Sequence, residues 1–136
     1  MAWAATTDLV KRFDAVTVAE MAADNGMAVV DLSTDAVVTA ALSSASGRIN
    51  SAVMQAGHYT TAELTALTGD DLEFLKDLTC ELAMAWLVRR RPSPENAEWS
   101  KALFDRTEET LKKIRQGHNL FNIEVKKTAG QPETDG

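Results

Sequence analysis

Cysteine is almost missing from this chain: one residue, Cys80, stands among 136. No intrachain disulfide can therefore form, and the burial preference of a lone cysteine makes Cys80 a small apolar core residue. Histidine is nearly as scarce, with His58 and His118 alone, each directly after a glycine in a predicted loop. A zinc site needs three or four converging His, Cys, Asp or Glu ligands. No CxxC pair and no HExxH helix supplies them, so no metal and no cofactor are expected. Also lacking are a GxSxG nucleophile elbow, a GxxxxGK[ST] phosphate loop and a GxGxxG turn. Asp70-Asp71 and Glu108-Glu109 are adjacent carboxylates, but neighbours on a helix point in different directions and form no acid–base pair by spacing. An enzyme is not expected.

Long apolar runs are missing too. The uncharged stretch Ala36 to Gly47 is rich in Ser, Thr and Ala and too short to span a bilayer. The first residues, Met-Ala-Trp-Ala-Ala-Thr-Thr-Asp, show no basic region followed by a leucine-rich core, so a signal peptide is not expected and the chain reads as made in the cytoplasm. Positive charge is in deficit: 14 Lys and Arg face 20 Asp and Glu, for a net charge of −6. Duplex affinity comes largely from cations neutralising phosphates, so this balance speaks against a DNA-wrapping protein. It suits a wall past which DNA slides. With 45% apolar and 25% charged residues, the chain has the composition of an ordinary globular domain rather than a disordered one.

What is present is helical periodicity. Thr7 can cap a turn running from Asp8 to Phe13. Thr17-Val18-Ala19-Glu20 has the capping-box pattern and predicts a second short helix ending near Asn25-Gly26. Met27 to Ser33 reads as a loop or short extended segment. From Asp35 to Gln55 the positions Val38, Leu42, Ala45, Ile49, Ala52, Val53 and Ala56 make one stripe, and small residues crowd its first half. Gly57 ends it, and His58 to Leu64 is a loop running into a short turn. A helix starting near Asp70-Asp71 has the stripe Leu72, Leu75, Leu78 or Thr79, Leu82, Ala85 and Trp86, and ends at Arg89-Arg90-Arg91-Pro92. Ser93 as N-cap and Pro94 at the first position open the last helix, with Trp99, Leu103, Phe104 or Thr107, Leu111 and Ile114 on its stripe and Gly117 closing it. Then Leu120 to Val125 alternates apolar and polar residues, a short strand signal. It would pair with Met27–Leu32 or add to a neighbour. The polar end up to Gly136 should be mobile in isolation.

The expected fold is all-α: a small bundle of four to five helices with extended N- and C-terminal arms and room for one short β-hairpin or added strand. The helical domain is expected over residues 1–117 and the arm over 118–136. Candidate interface residues are Trp3, Arg89, Arg90, Arg91, Leu120, Phe121, Ile123 and Val125. Three arginines exceed what a helix dipole needs, so a contact with nucleic acid or an acidic partner stands beside the dipole reading. Trp86 and Trp99 fall on stripes and read as core. Trp3 has no stripe to join, and packs on its own domain or docks on a neighbour, the neighbour being preferred because aromatic anchors are common at interfaces.

Four segments together resemble the small connector proteins of Mu-like tailed phages. Thr7-Asp8-Leu9-Val10-Lys11-Arg12-Phe13 is similar to a Thr-x-x-Asp-Leu segment running into Arg-Phe. Ala41-Leu42-Ser43-Ser44-Ala45-Ser46-Gly47-Arg48-Ile49-Asn50 resembles an Ala-Leu-x-x-Ala-Ser-x-x-Ile-Asp helix. Gly57-His58-Tyr59 keeps a tyrosine that follows it, while Thr60 to Leu64 lacks the family's proline. Trp86-Leu87-Val88-Arg89-Arg90-Arg91 matches an Arg-rich helix end, and Leu111-Lys112-Lys113-Ile114-Arg115-Gln116-Gly117 the closing Leu-x-x-Ile-x-x-Gly. The resemblance implies a virion protein at the head–tail junction: an adaptor without catalytic residues, forming a ring of itself, twelvefold to match the portal, around passing DNA. Its implied partners are the portal, the next tail-side connector or stopper, and DNA without sequence-specific binding; no membrane is implied. Two rivals remain: a tail-side completion or stopper protein, and a small helical regulatory module that binds a protein partner.

Overall fold

A computed structural model describes residues 2–23, 32, 35–90, 94–95, 97–118 and 120–121. Among them are six helices and no strand: α1 (Thr6–Arg12), α2 (Ala15–Ala22), α3 (Ala36–Ala56), α4 (Thr61–Thr65), α5 (Gly69–Arg90) and α6 (Ala97–Arg115). The all-α bundle expected from the periodicity is what forms. The Met27–Leu32 pairing partner and residues 122–125 of the alternating segment lie outside the described residues.

Local chemistry explains most helix ends. Ala5 precedes α1 and donates its N–H to the Asp8 carboxylate at 2.8 Å, so Asp8 rather than Thr7 supplies the cap. The capping box expected at Thr17 does not form, because α2 begins at Ala15 and Thr17 already lies inside it. That start puts Val18 and Ala22, four apart, on one buried face. α2 stops at Ala22, ahead of the Asn25-Gly26 end that was expected. At α3, Asp35 accepts from the Val38 N–H at 3.0 Å, and Gly57 takes the left-handed conformation at φ 72°. A capping box does form at Thr60, where Glu63 accepts from the Thr60 N–H at 3.1 Å and the Thr60 hydroxyl accepts from the Glu63 N–H at 3.4 Å. It turns the expected loop into α4 and buries Leu64. α6 begins at Ala97, after a turn at Pro94 and Glu95, not at Pro94.

α5 is the axis of the bundle. Leu82, Ala83, Met84, Ala85, Leu87 and Val88 are all buried, which no single stripe can produce. Such a helix is hydrophobic all round and must be covered on every side. α1, α2, α3 and α6 all pack against it. The closest pairings with α6 are Glu81 with Arg106 and Arg89 with Phe104, so those two helices run antiparallel. α1 is clamped to α5 by ion pairs: Arg12 to Glu73 at 2.8 Å and to Asp77, and Lys76 to Asp8 at 3.5 Å. Burial pushes the Asp8 carboxyl up, but the Ala5 N–H, Lys76 and Arg12 outweigh it and hold it below its ordinary value. A depressed carboxylate stabilises the fold above its unfolded pKa, and this clamp weakens as pH falls through the folded value. The buried hydroxyls of Ser46 and Thr79 are satisfied within their helices: Ser46 donates to the Leu42 carbonyl at 2.9 Å and Thr79 to the Leu75 carbonyl at 2.8 Å.

The end of α6 corrects the expected boundary at Gly117. Gly117 has φ 91°, its N–H donates to the Ile114 carbonyl at 3.0 Å, and the His118 N–H donates to the Lys113 carbonyl at 3.0 Å, the double closure of a Schellman motif. This turn carries the chain back onto the bundle, where Phe121 is fully buried. Its ring sits 6.1 Å from Tyr59, edge-on, and 5.5 Å from Phe74, both favourable aromatic geometries. Packing therefore continues through Phe121.

Ile49 and Leu82 are at most 2% exposed, so Ile49→Ala and Leu82→Ala should each cost about 2–5 kcal/mol in urea denaturation; an unchanged midpoint would place these side chains in solvent. The two glycines Gly47 and Gly117 should respond in opposite directions to alanine. A Cβ on Gly117 would lie 2.5 Å from His58 Nε2, on backbone with φ +91°, so Gly117→Ala should destabilise by at least about 1 kcal/mol. A Cβ on Gly47, inside α3, meets nothing within 4 Å, so Gly47→Ala should stabilise by about 0.5–1 kcal/mol. A melting temperature that moves the same way in both variants contradicts this assignment.

Candidate interface groove

The basic cluster found in the sequence lies at the C-terminal end of α5. There a shallow groove opens between α3, α5 and α6. Buried Ala45, Leu82 and Ala85 line it together with Ser44; the small side chains of Ser44, Ala45 and Ala85 leave room where three helices meet. Trp86 and Phe104 flank it, with Arg48 and Arg89 at its edge. The Arg89 guanidinium carbon sits 4.8 Å from the centre of the Phe104 ring, and that of Arg90 lies 5.6 Å from Trp86. Both are within cation–π range. Arg90 Nη1 also lies 3.5 Å from the Met21 carbonyl, and Arg48 pairs with Glu108 across α3 and α6. Each arginine is thus positioned by a ring, a carbonyl or a carboxylate, and this lowers the entropy lost when a partner engages it.

Reactive groups elsewhere are quenched by burial. Burial pushes the Cys80 thiol up to about 12, with Arg12 opposing and Asp8 and Asp77 adding. Cys80 is therefore a thiol, not a thiolate nucleophile, at neutral pH, and it packs in the core. Burial likewise pushes Tyr59 up to about 12, and its hydroxyl makes no hydrogen bond. The described residues hold no group of three or more His, Cys, Asp or Glu able to bind a metal.

The expected interface residues divide. Arg89 lines the groove, and Arg90 lies beside it, over the Trp86 ring and near the Met21 carbonyl. Arg91, Ile123 and Val125 lie outside the described residues. Trp3 docks on its own domain, against the preference for a neighbour: its backbone N–H donates to Ser46 Oγ at 2.8 Å and its indole N–H to Asn50 Oδ1 at 2.9 Å, both on α3. With Ala4 buried beside it, the N-terminal arm is folded onto the bundle. Phe121 is core, and Leu120 is partly buried against that core. Trp99, expected in the core, is 40% exposed and rests edge-on against Phe13 at 6.1 Å, since α6 begins just before it, at Ala97. Phe104 and Arg48 were missed as groove residues, and so was Glu108 as the partner of Arg48. Phe104 appeared only as an alternative to Thr107 on the α6 stripe, and nothing local ties Arg48 to Glu108.

The family model described as Bacteriophage Mu, Gp36 matches residues 3–136. No curated protein and no solved structure matches the chain.

The Arg89–Phe104 contact predicts a measurable coupling. In a double-mutant cycle of Arg89→Ala and Phe104→Leu, unfolding free energies should be non-additive by about 0.5–1 kcal/mol. Simple additivity would mean that guanidinium and ring do not interact in solution.

Proposed function

The chain belongs to the bacteriophage Mu Gp36 family, and on that premise we propose that it is a structural virion protein, a head–tail connector subunit working in a ring below the portal. The observation that carries this reading is the family match over nearly the whole chain, residues 3–136. In this reading the subunit is no enzyme and takes no cofactor. Its partners are further copies of itself, twelve to match the portal, together with the portal and the next tail-side component.

Physical features support the assignment. Arginine and aromatic residues dominate the energetic centres of protein interfaces, and the groove pairs two arginines with Phe104 and Trp86. A net charge of −6 keeps a channel lining from gripping phosphate, so DNA can pass without being held. No helix among the described residues is long and apolar enough to cross a membrane. A protein that works by filling a place in an assembly needs a rigid body and shaped surfaces, and the close-packed second half of α5 gives it a rigid centre.

Quantitative mass spectrometry of purified virions tests the reading. The chain should be present in the same copy number as the portal and should stay with the neck when tails are sheared off. Fractionation with the tail after shearing would favour a stopper or tail-completion protein. Absence from virions alongside abundance in the infected cell would point to a regulatory module.

A further inference from the structure

Phe121 is seated against a penalty. Its ring is fully buried, edge-on to Tyr59 at 6.1 Å and tilted against Phe74 at 5.5 Å. Tyr59 is itself only 5% exposed, and its hydroxyl is buried with no hydrogen-bond partner. The other buried hydroxyls differ: Ser46, Thr79 and Thr107 each donate to a carbonyl of their own helix. A hydroxyl taken from water with nothing in exchange carries the full desolvation penalty. One group of the socket that holds Phe121 thus works against keeping it closed.

The segment that carries Phe121 is also lightly held. α6 closes at Gly117 and His118, whose N–H groups donate to Ile114 and Lys113. Past that closure, among the described residues, one backbone hydrogen bond remains, from the Leu120 N–H to the His118 carbonyl at 3.2 Å. It lies within the segment, so side-chain packing alone seats Leu120 and Phe121 on the bundle. Gly117, at φ 91°, supplies a pivot with no side chain of its own. We propose that Leu120 and Phe121 form a latch poised to open: Phe121 keeps water from the Tyr59 hydroxyl, and its release wets that hydroxyl and bares an aromatic socket of Tyr59 and Phe74. Opening exposes the Phe121 ring to water but returns hydrogen bonds to Tyr59, and the two effects offset. The latch therefore sits at the low-stability end of the fold, while Leu82 to Val88 open only with the whole bundle. It goes beyond the connector reading and does not depend on it.

Chymotrypsin cleavage of the native full-length chain tests the latch. The protease favours large apolar side chains, and no aromatic residue, leucine or methionine follows Phe121. Release of the fragment that begins at Asn122, identified by mass, therefore reports exposure of Phe121. In the wild type this cleavage should proceed at a rate unchanged by low urea, the mark of local opening. Tyr59→Phe removes the hydroxyl and keeps the ring. It should slow the cleavage at least about fivefold, and lower the unfolding equilibrium constant from urea denaturation by the same factor. In a Phe121→Ala background the hydroxyl is already wet, so Tyr59→Phe should gain nothing in urea. If Phe121→Ala does not fold, Phe121→Leu takes its place and the gain should shrink. Cleavage that follows global unfolding overturns the latch. A Tyr59→Phe chain cut as fast as the wild type, or faster, means that the hydroxyl has a partner in solution, and overturns it too. A gain that persists undiminished without Phe121 means that another side chain seals the hydroxyl, and overturns the role given to Phe121.

Discussion

From Leu82 to Val88, α5 presents buried apolar side chains around most of its axis, and such a stretch must be covered by other helices. The other elements follow from that requirement. α3 covers it with a small-residue face, α6 lies antiparallel to it, and α1 and α2 close the remaining side. Ion pairs at Arg12 and Lys76 fix α1 against the polar first half of α5. The Schellman turn at Gly117 brings Phe121 back to the aromatic cluster with Tyr59 and Phe74. Surface pairs of this kind contribute little each, so the core, not the ion pairs, supplies most of the stability.

The same central helix determines where function can sit. Because the second half of α5 is buried, its exposed charges lie along its first half and at its last turn. At the C-terminal end they meet the aromatic residues of two helices, and the crossing of three helices over small side chains leaves a groove there. The chain belongs to the bacteriophage Mu Gp36 family, and its groove is a basic-aromatic surface with Arg89 over the Phe104 ring. The one thiol and the one tyrosine hydroxyl are buried and shifted away from reactivity.

How far the sequence could be read depended on the range of each interaction. The stripes of α3 and α6 and the glycine ends at Gly57 and Gly117 were legible, because spacing and cap chemistry are local. The capping-box signature shows the limit of local evidence. It occurs at Thr17 and again at Thr60, yet it forms only at Thr60, because burial of Val18 and Ala22 starts α2 earlier. One face of α5 was legible, while Ala83, Met84, Leu87 and Val88 were not, since the helices covering them lie far off in sequence. Phe121 sits in an alternating segment that reads as an arm, and only the distant Tyr59 and Phe74 reveal it as core. The arginine cluster was legible as a cluster, but Phe104 and Arg48, which make it a groove, come from two other helices. Trp3 could not be assigned from the sequence, because its acceptors, Ser46 and Asn50, lie more than 40 residues away.

The measurement closest to the central claim is a cryo-electron-microscopy reconstruction of the phage neck with the symmetry of the portal. The account predicts a ring of helical subunits directly below the portal, each with α5 at its centre. Neck density that accommodates no such bundle at any level, at a resolution where helices are separated, would contradict it.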